Sequence, residues 1–555
     1  MSFQQRRGLY AIAAMLLGLA ATPEARAQPP AGQVSLTDGL ITGAAVDGLV
    51  IQFLGIRYAA PPVGELRWKP PQPPKPWSGV EPHVTAGPSC PQTAEAAAYV
   101  GTASINEDCL NLDVYMPLHS VSLSPPAKQR PVMVWFYGGS FAEGSIDHYD
   151  GSQLAVVGDV IVVTVNYRIG AFGGLALPGL SQEMPDGVSG NLSIRDQQAA
   201  LSWVHDNIAA FGGDPGNVTI FGQSAGGQSV IDHMVSPLSA GLFAKAIIQS
   251  GTYAPLLPAL EDKEKAGLDF ADTVGCRQPD PAALVRCMRA ASVEQILAAQ
   301  PLDDDPEGQT IWNPTQGGAV LPSQPLQAIV QGPLNKGPVL IGSTRDEARL
   351  FVGEADLRTG PLKPGDYLDK IRELFADLQI PPEPVAARYP LSDFGSTNLA
   401  YAQVFTDAAY ACSSAFTARL LSQANLPVYQ FEVADEEEAH ILGITDPFMD
   451  LGSAHTGDVV FLWPNNLNYA ARQPARFTVG EAIMSLKMTA AWTAFARSGN
   501  PWPIDDAWPP FKPGQPGPVM VLTPDQDFET ISADRFAASH RCDFWEPIFA
   551  RLVGG

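Results

Sequence analysis

The sequence predicts an α/β fold, with a large, mostly parallel central sheet flanked by helices. Three observations predict it. Several short runs are apolar at every residue, among them Val132-Met133-Val134-Trp135-Phe136 and Val160-Ile161-Val162-Val163. A strand with no polar face needs cover on both sides, and a parallel sheet packed between helices provides it. Helical patterns alternate with these runs, as a doubly wound sheet requires. One strand-to-helix junction carries Gly222-Gln223-Ser224-Ala225-Gly226.

The strands follow in order. After Val132–Phe136, the run Val160–Val163 continues into Thr164-Val165. Val218-Thr219-Ile220-Phe221, Ala246-Ile247-Ile248, Val339-Leu340-Ile341 and Val428-Tyr429-Gln430-Phe431 complete the set. Between them, Ile194, Leu201, Val204, Ile208 and Phe211 fall on one helix face at spacings of 7, 3, 4 and 3. A second helix is expected from about Glu481 to Arg497, stopping before Ser498-Gly499-Asn500-Pro501. The stretches 255–330 and 350–425 hold no strong strand and read as mostly helical insertions over the active site. No internal repeat is visible. Residues 28–555 are expected to form a single domain carrying those two insertions.

Bulk properties set bounds on function. Of 555 residues, 45% are hydrophobic and 17% charged, a globular balance able to bury a large core. The net charge of -24 repels a phosphate backbone and argues against nucleic acid as a partner. Proline clusters such as Pro70, Pro71, Pro73, Pro74 and Pro76 read as ordered loops around the sheet. Asp435-Glu436-Glu437-Glu438 reads as a solvated loop, because the spaced ligands of a calcium loop are missing.

The N-terminus reads as an address. Arg6 and Arg7 precede an apolar run from Leu9 to Ala21, too short to span a bilayer comfortably, and Ala25-Arg26-Ala27 is a small-x-small cleavage site. A signal peptide over residues 1–27 and a mature chain from Gln28 are expected, with periplasmic or extracellular export and no stable membrane anchor. The arginine pair raises twin-arginine export, which its flanks fit poorly. The six cysteines, Cys90, Cys109, Cys276, Cys287, Cys412 and Cys542, suit disulfides in such a compartment. None forms a CxxC pair, so a zinc site is not expected.

The chemistry centres on Ser224. A G-x-S-x-G turn between strand and helix is a nucleophile elbow, sharp enough that the residues two away on either side must be small. A serine hydroxyl needs a base, and in this fold the acid and then the histidine follow the serine in the chain. His83, His119, His148 and His205 precede it, and His233 follows too closely on the next helix. His440, His455 and His540 remain. His455 lies among small residues in Gly452-Ser453-Ala454-His455-Thr456-Gly457-Asp458, which suits a tight loop. His440 abuts the acidic run, and His540 neighbours Cys542. The acid should lie just past a strand, where Asp346 and Glu347 both qualify. The oxyanion needs N–H donors, which Ala225 and the turn Tyr137-Gly138-Gly139-Ser140-Phe141 can supply. No metal or cofactor is called for.

These motifs resemble the type-B carboxylesterase/cholinesterase family of the α/β-hydrolase fold. Phe211-Gly212-Gly213-Asp214-Pro215-Gly216-Asn217-Val218 running to Gly226 looks like its active-serine signature, and Glu107-Asp108-Cys109-Leu110-Asn111-Leu112 its second signature. Asn166-Tyr167-Arg168, Gly170-Ala171-Phe172-Gly173, Gly190-Asn191 and Asp196-Gln197 also match, and the likeness runs from Gly55-Ile56 to Cys542-Asp543-Phe544-Trp545. The resemblance implies a serine carboxylic ester hydrolase. It assigns the acid to Glu347, the base to His455, and the oxyanion donors to Gly139, Ser140 and Ala225. It implies the pairs Cys90–Cys109, Cys276–Cys287 and Cys412–Cys542. The rivals are a non-catalytic adhesion or recognition protein of the same fold, a lipase and an amidase.

Departures from the family pattern sharpen the expectation. Gln223 stands where the family often has glutamate, and the segment between Cys90 and Cys109 holds no tryptophan for a quaternary ammonium. Choline esters are therefore disfavoured, and neutral or acidic esters are expected. Arg57 replaces a common proline, and Trp463 stands at a position usually small; the sequence assigns no consequence to either. Ser140 stands where the family usually has a third glycine, and its side chain either narrows the turn or adds a hydroxyl near the acyl carbon. Ser140→Gly should raise the rate on esters of bulky tertiary alcohols relative to primary ones; an unchanged ratio across such a pair of substrates refutes this role.

Overall fold

The computed structural model describes residues 30–94, 101–118, 129–300, 311–332, 335–436, 448–464, 476–505, 507–524 and 527–554. The expected leader, His119, His440, Glu437 and Glu438 lie outside them.

Thirteen strands form one sheet among the described residues. They are β1 (Pro30–Ser35), β2 (Leu40–Val46), β3 (Val50–Arg57), β4 (Val80–Pro82), β5 (Asn111–Pro117), β6 (Arg130–Phe136), β7 (Ile161–Val165), β8 (Gly213–Gln223), β9 (Lys245–Gln249), β10 (Val339–Thr344), β11 (Val428–Val433), β12 (Val519–Leu522) and β13 (Glu529–Ile531). Their order is β1-β2-β3-β5-β7-β6-β8-β9-β10-β11-β12-β13, with β4 paired to β2. From β7 to β12 every pairing is parallel, and this block contains all six strands expected from apolar runs. The flanks are antiparallel: β1-β2-β3-β5-β7 on one side and β12-β13 on the other.

Parallel neighbours need long crossovers, and helices supply them. Leu192–Asn207 joins β7 to β8 and continues as the tighter turn Ile208–Phe211. Ile194, Leu201, Val204, Ile208 and Phe211 are all buried, as their spacing implies. Helix Val479–Ser498 opens with a reciprocal cap between Thr478 and Glu481 and ends at Gly499 in the left-handed region. The stretch between β9 and β10 contains helices Leu260–Val274, Pro281–Ala290, Val293–Ala299 and Pro325–Gln331. Between β10 and β11 lie Arg349–Thr359, Tyr367–Leu374, Pro382–Arg388, Thr397–Phe405, a π-helical turn Thr406–Ala411 and Cys412–Gln423.

The two departures without an assigned consequence find partners. Trp463 is fully buried, with its ring 5.1 Å from Trp135, 5.4 Å from Tyr149 and 5.9 Å from Phe221, so it packs against β6 and β8. Arg57 pairs with Asp108 at 2.6 Å on a half-exposed face.

The C-terminal helix Cys542–Leu552 is fastened in two ways. A disulfide joins Cys542 to Cys412 across 130 residues, a closure worth about 5 kcal/mol in the chain-entropy model. The other bridges are Cys90–Cys109 and Cys276–Cys287. Beside the first, His540 is buried between two acids, with Nδ1 2.7 Å from Asp407 and Nε2 2.6 Å from Glu432. Both ring nitrogens must donate, so the ring is an imidazolium. Burial opposes that charge, but the hydrogen bonds and charges of Asp407 and Glu432 outweigh it and raise the pKa to about 10. A pKa raised on folding stabilises fully below the unfolded value of about 6.5 and less as pH approaches 10. Chemical denaturation should therefore show the stability gap between the native chain and His540→Gln shrinking from about pH 6.5 toward pH 10. A gap that is flat or grows over that window contradicts the imidazolium.

Candidate active site

The site gathers at the carboxyl ends of β6, β8, β9 and β10, where open parallel sheets hold their ligands. β8 ends at Gln223, and helix Ala225–Val235 begins one residue after Ser224. Ser224 takes φ 55° and ψ -124°, a conformation few non-glycine residues tolerate. The turn is possible because the chain crowds itself on both sides. A Cβ on Gly226 would lie 1.9 Å from the Phe136 carbonyl oxygen, and one on Gly222 would lie 2.5 Å from the Gly226 backbone. The Ser224 N–H donates to the Gln249 carbonyl at 2.9 Å, tying the turn to β9. The N–H of Ala225, first in its helix, has no acceptor within that helix.

After β6, the turn at Gly138 packs directly on the elbow. A Cβ there would lie 2.8 Å from the Gln223 carbonyl oxygen and 2.9 Å from the Ser224 Cβ. Gly139, Ser140 and Phe141 all have positive φ, at 107°, 54° and 58°. The Gly139 carbonyl accepts from the N–H groups of Ala142 and Glu143, which turns that carbonyl toward the loop.

Glu347 lies three residues past β10 and is fully buried. Its Oε1 accepts from the Thr344 N–H at 2.8 Å and the Ser250 hydroxyl at 2.5 Å. Its Oε2 bonds to Nδ1 of His455, and its carbonyl accepts from the His455 N–H at 3.1 Å. Asp346 turns the other way. It accepts from the Ser453 N–H at 3.1 Å and pairs with Arg349 at 2.7 Å, so it anchors the loop that carries His455. Of the two acids open in the sequence, only Glu347 touches the imidazole.

Several contacts escaped sequence reasoning. Nε2 of His455 lies 3.1 Å from Nε2 of Gln223, so the amide donates to that nitrogen when Nδ1 carries the proton toward Glu347. The ring that the chain places beside the residue preceding Ser224 therefore directs Nε2 at the elbow. Phe351 and Tyr410 flank the same ring, at 4.9 and 5.2 Å between centroids. Behind it, Asp458 accepts from Gln249 at 2.6 Å, and Gln249 accepts from Trp492 at 3.1 Å. Burial raises the Asp458 carboxyl to about 6, with the charge of Glu347 adding to the effect. In the sequence, Gln249-Ser250 marks no more than the place where the apolar run Ala246–Ile248 stops.

The other histidines stand apart from this constellation. His233 is buried on the helix after the elbow, bonded to Ser239 and Gln197. His540 serves the C-terminal network. Among the described residues no three His, Cys, Asp or Glu side chains converge as a metal-binding group, and no helix is long and apolar enough to cross a membrane.

Residues 30–545 match the model of the carboxylesterase family. The chain is 33% identical over 529 residues to fumonisin B1 esterase of Sphingopyxis macrogoltabida, covering 93% of this chain and 91% of that one. It is 33% identical over 482 residues to para-nitrobenzyl esterase of Bacillus subtilis, covering 85% and 91%. A solved structure of a thermophilic PNB esterase superposes with a TM-score of 0.74 at 30% identity, covering 92% of this chain and 99% of that one. The chain belongs to the carboxylesterase family, with an α/β-hydrolase fold, and is a carboxylic ester hydrolase.

Proposed function

We propose that Ser224 is the nucleophile, His455 its general base and Glu347 the acid that orients the base, acting on neutral or acidic esters through an acyl-enzyme. The observation that carries this reading is the pairing of Glu347 with His455 Nδ1 while Nε2 meets the residue just before Ser224. His455 takes the serine proton as Ser224 attacks the ester carbonyl, and the Gln223 amide yields that nitrogen. The N–H groups of Gly139, Ser140 and Ala225 receive the oxyanion. The alcohol leaves with the proton from His455, and water then hydrolyses the acyl-enzyme by the same route. The Ser250 hydroxyl and the Thr344 N–H hold Glu347 for this role. The neutral amide of Gln223 supports a preference away from cationic substrates.

We read residues 28–555 as one catalytic domain whose insertions, at about 255–330 and 350–425, set substrate choice. The three disulfides and the leader-like residues 1–27 support export to the periplasm or beyond.

Ser224→Ala should lower kcat by about 10^6-fold, as expected when a triad serine is lost. Glu347→Gln should cost far more in kcat than Asp346→Asn, which acts on the loop instead; equal losses would reverse the assignment of the acid. Expressed with its own leader in a Gram-negative host, the protein should be recovered outside the cytoplasm with Gln28 at its N-terminus. An uncleaved chain in the cytoplasm rules the export reading out.

A further inference from the structure

Two chains of contact lead from the buried ring of His540 to the side chains assigned as acid and base. The first starts at Nδ1, 2.7 Å from Asp407. Asp407 is the second residue of the π-helical turn Thr406–Ala411. Its carboxylate also accepts from the Tyr389 hydroxyl at 2.8 Å and the Gln403 amide at 2.7 Å, so three donors pin the turn. Two neighbours in that turn reach the active site. Thr406 Oγ1 accepts the Ala348 N–H at 3.0 Å, the peptide directly after Glu347. The Tyr410 ring stands 5.2 Å from His455 and 6.3 Å from Phe351, the other ring beside that histidine. One turn thus touches the backbone of the acid and the ring of the base. Single π-helical turns inside α-helices recur at functional sites.

The second chain starts at Nε2, 2.6 Å from Glu432 on β11. Glu432 also faces Arg345 at 3.5 Å, and Arg345 lies two residues before Glu347. The Arg345 N–H donates to the Val433 carbonyl at 2.9 Å, so this arm meets the acid loop through both main chain and side chain. Burial raises the Asp346 carboxyl on the same loop, and the positive charge of His540 is among those that oppose the rise. Both arms need the proton. A neutral imidazole donates from one nitrogen only, so its loss leaves one buried carboxylate facing a lone pair.

We propose that the protonated ring of His540 is a positioning residue for ester hydrolysis, holding the π-helical turn and the acid loop where Glu347 and His455 meet. This rests on the assignment of Glu347 and His455 as acid and base. His540 bonds to neither; it acts through Asp407 and Glu432. The expected signature lies in kcat rather than KM, because a misplacement of about 1 Å far from the chemistry costs about 100-fold. The groups that face the ring are Asp407 from the turn, Glu432 from β11, Arg345 and Asp346 from the acid loop and Arg541 beside it in the chain. The Tyr389 phenol behind Asp407 is raised by burial. With its pKa raised to about 10, the ring is charged at neutral pH, and the alignment it supports is lost as pH rises through that value.

The test is the pH profile of kcat and KM for p-nitrophenyl acetate, on the full chain from about pH 7 to 10.5, with uncatalysed hydrolysis subtracted. In the unsubstituted chain kcat should fall reversibly toward pH 10. His540→Gln should lower kcat at neutral pH by about 10- to 100-fold, leave KM within about twofold and abolish the alkaline fall. Thr406→Val, which cuts the bond to Ala348, should lower kcat at least about fivefold, and Thr406→Ser, which keeps the hydroxyl, should stay within about twofold of the unsubstituted chain. Native kcat in His540→Gln, or an alkaline fall that survives it, overturns the proposal. If His540→Gln does not fold, the other two measurements decide: no alkaline fall in the unsubstituted chain, or equal kcat in the two Thr406 variants, overturns it. Failure of the triad reading shows up separately, as native turnover in Glu347→Gln or His455→Ala.

Discussion

Ser224 stands in a backbone conformation that its own side chain disfavours, and the surrounding sheet is built to hold it there. Such strain costs on the order of 1–3 kcal/mol and persists only where neighbours over-determine it. Here the neighbours are main-chain atoms. Gly226 passes against the Phe136 carbonyl, Gly138 against Gln223, and Gln249 captures the Ser224 N–H. Three adjacent strands, β6, β8 and β9, thus fix one hydroxyl, and their own register is set by buried apolar residues on both faces. The hydroxyl inherits the rigidity of the parallel block.

The loops beyond that block are positioned by acids that are each neutralised differently. Glu347 spends its oxygens on Thr344, Ser250 and His455. Asp346, adjacent in sequence, turns to Arg349 and the Ser453 N–H. Asp458, three residues past His455, is held by Gln249 and carries a pKa raised by burial. One carboxylate orients the imidazole, one holds its loop, and one sits behind it in a dry environment. Farther out, the imidazolium of His540 joins the π-helical turn that carries Tyr410 to β11 and the C-terminus. The histidine that faces the elbow is therefore packed from a region fixed by a second, structural histidine.

What could be read from the sequence follows from how each feature is encoded. The strands β6 to β11 announce themselves because both faces are buried, so apolar residues dominate each run and polar ones such as Thr219 and Gln430 are few. β2 does not: it carries a glycine, alternates only partly and lies in an antiparallel flank with many half-exposed positions. β12 is four residues long, too short for a period to show. The elbow is legible because steric need fixes residue types at fixed offsets. The choice between Asp346 and Glu347 is not, since both carry the same group one residue apart and only the direction of the chain separates them. The contact of Gln223 with His455 joins residues 232 apart, and no local pattern encodes it.

A crystal structure of the protein after reaction with a small organophosphonate tests the proposed geometry of Ser224, His455 and the oxyanion turn most directly. One adduct is expected, on Ser224 Oγ. Its phosphonyl oxygen should lie within hydrogen-bonding distance of the N–H groups of Gly139, Ser140 and Ala225, with His455 Nε2 released from Gln223 and turned to the adduct. A phosphonate on another residue, or a phosphonyl oxygen pointing away from that turn, would contradict it.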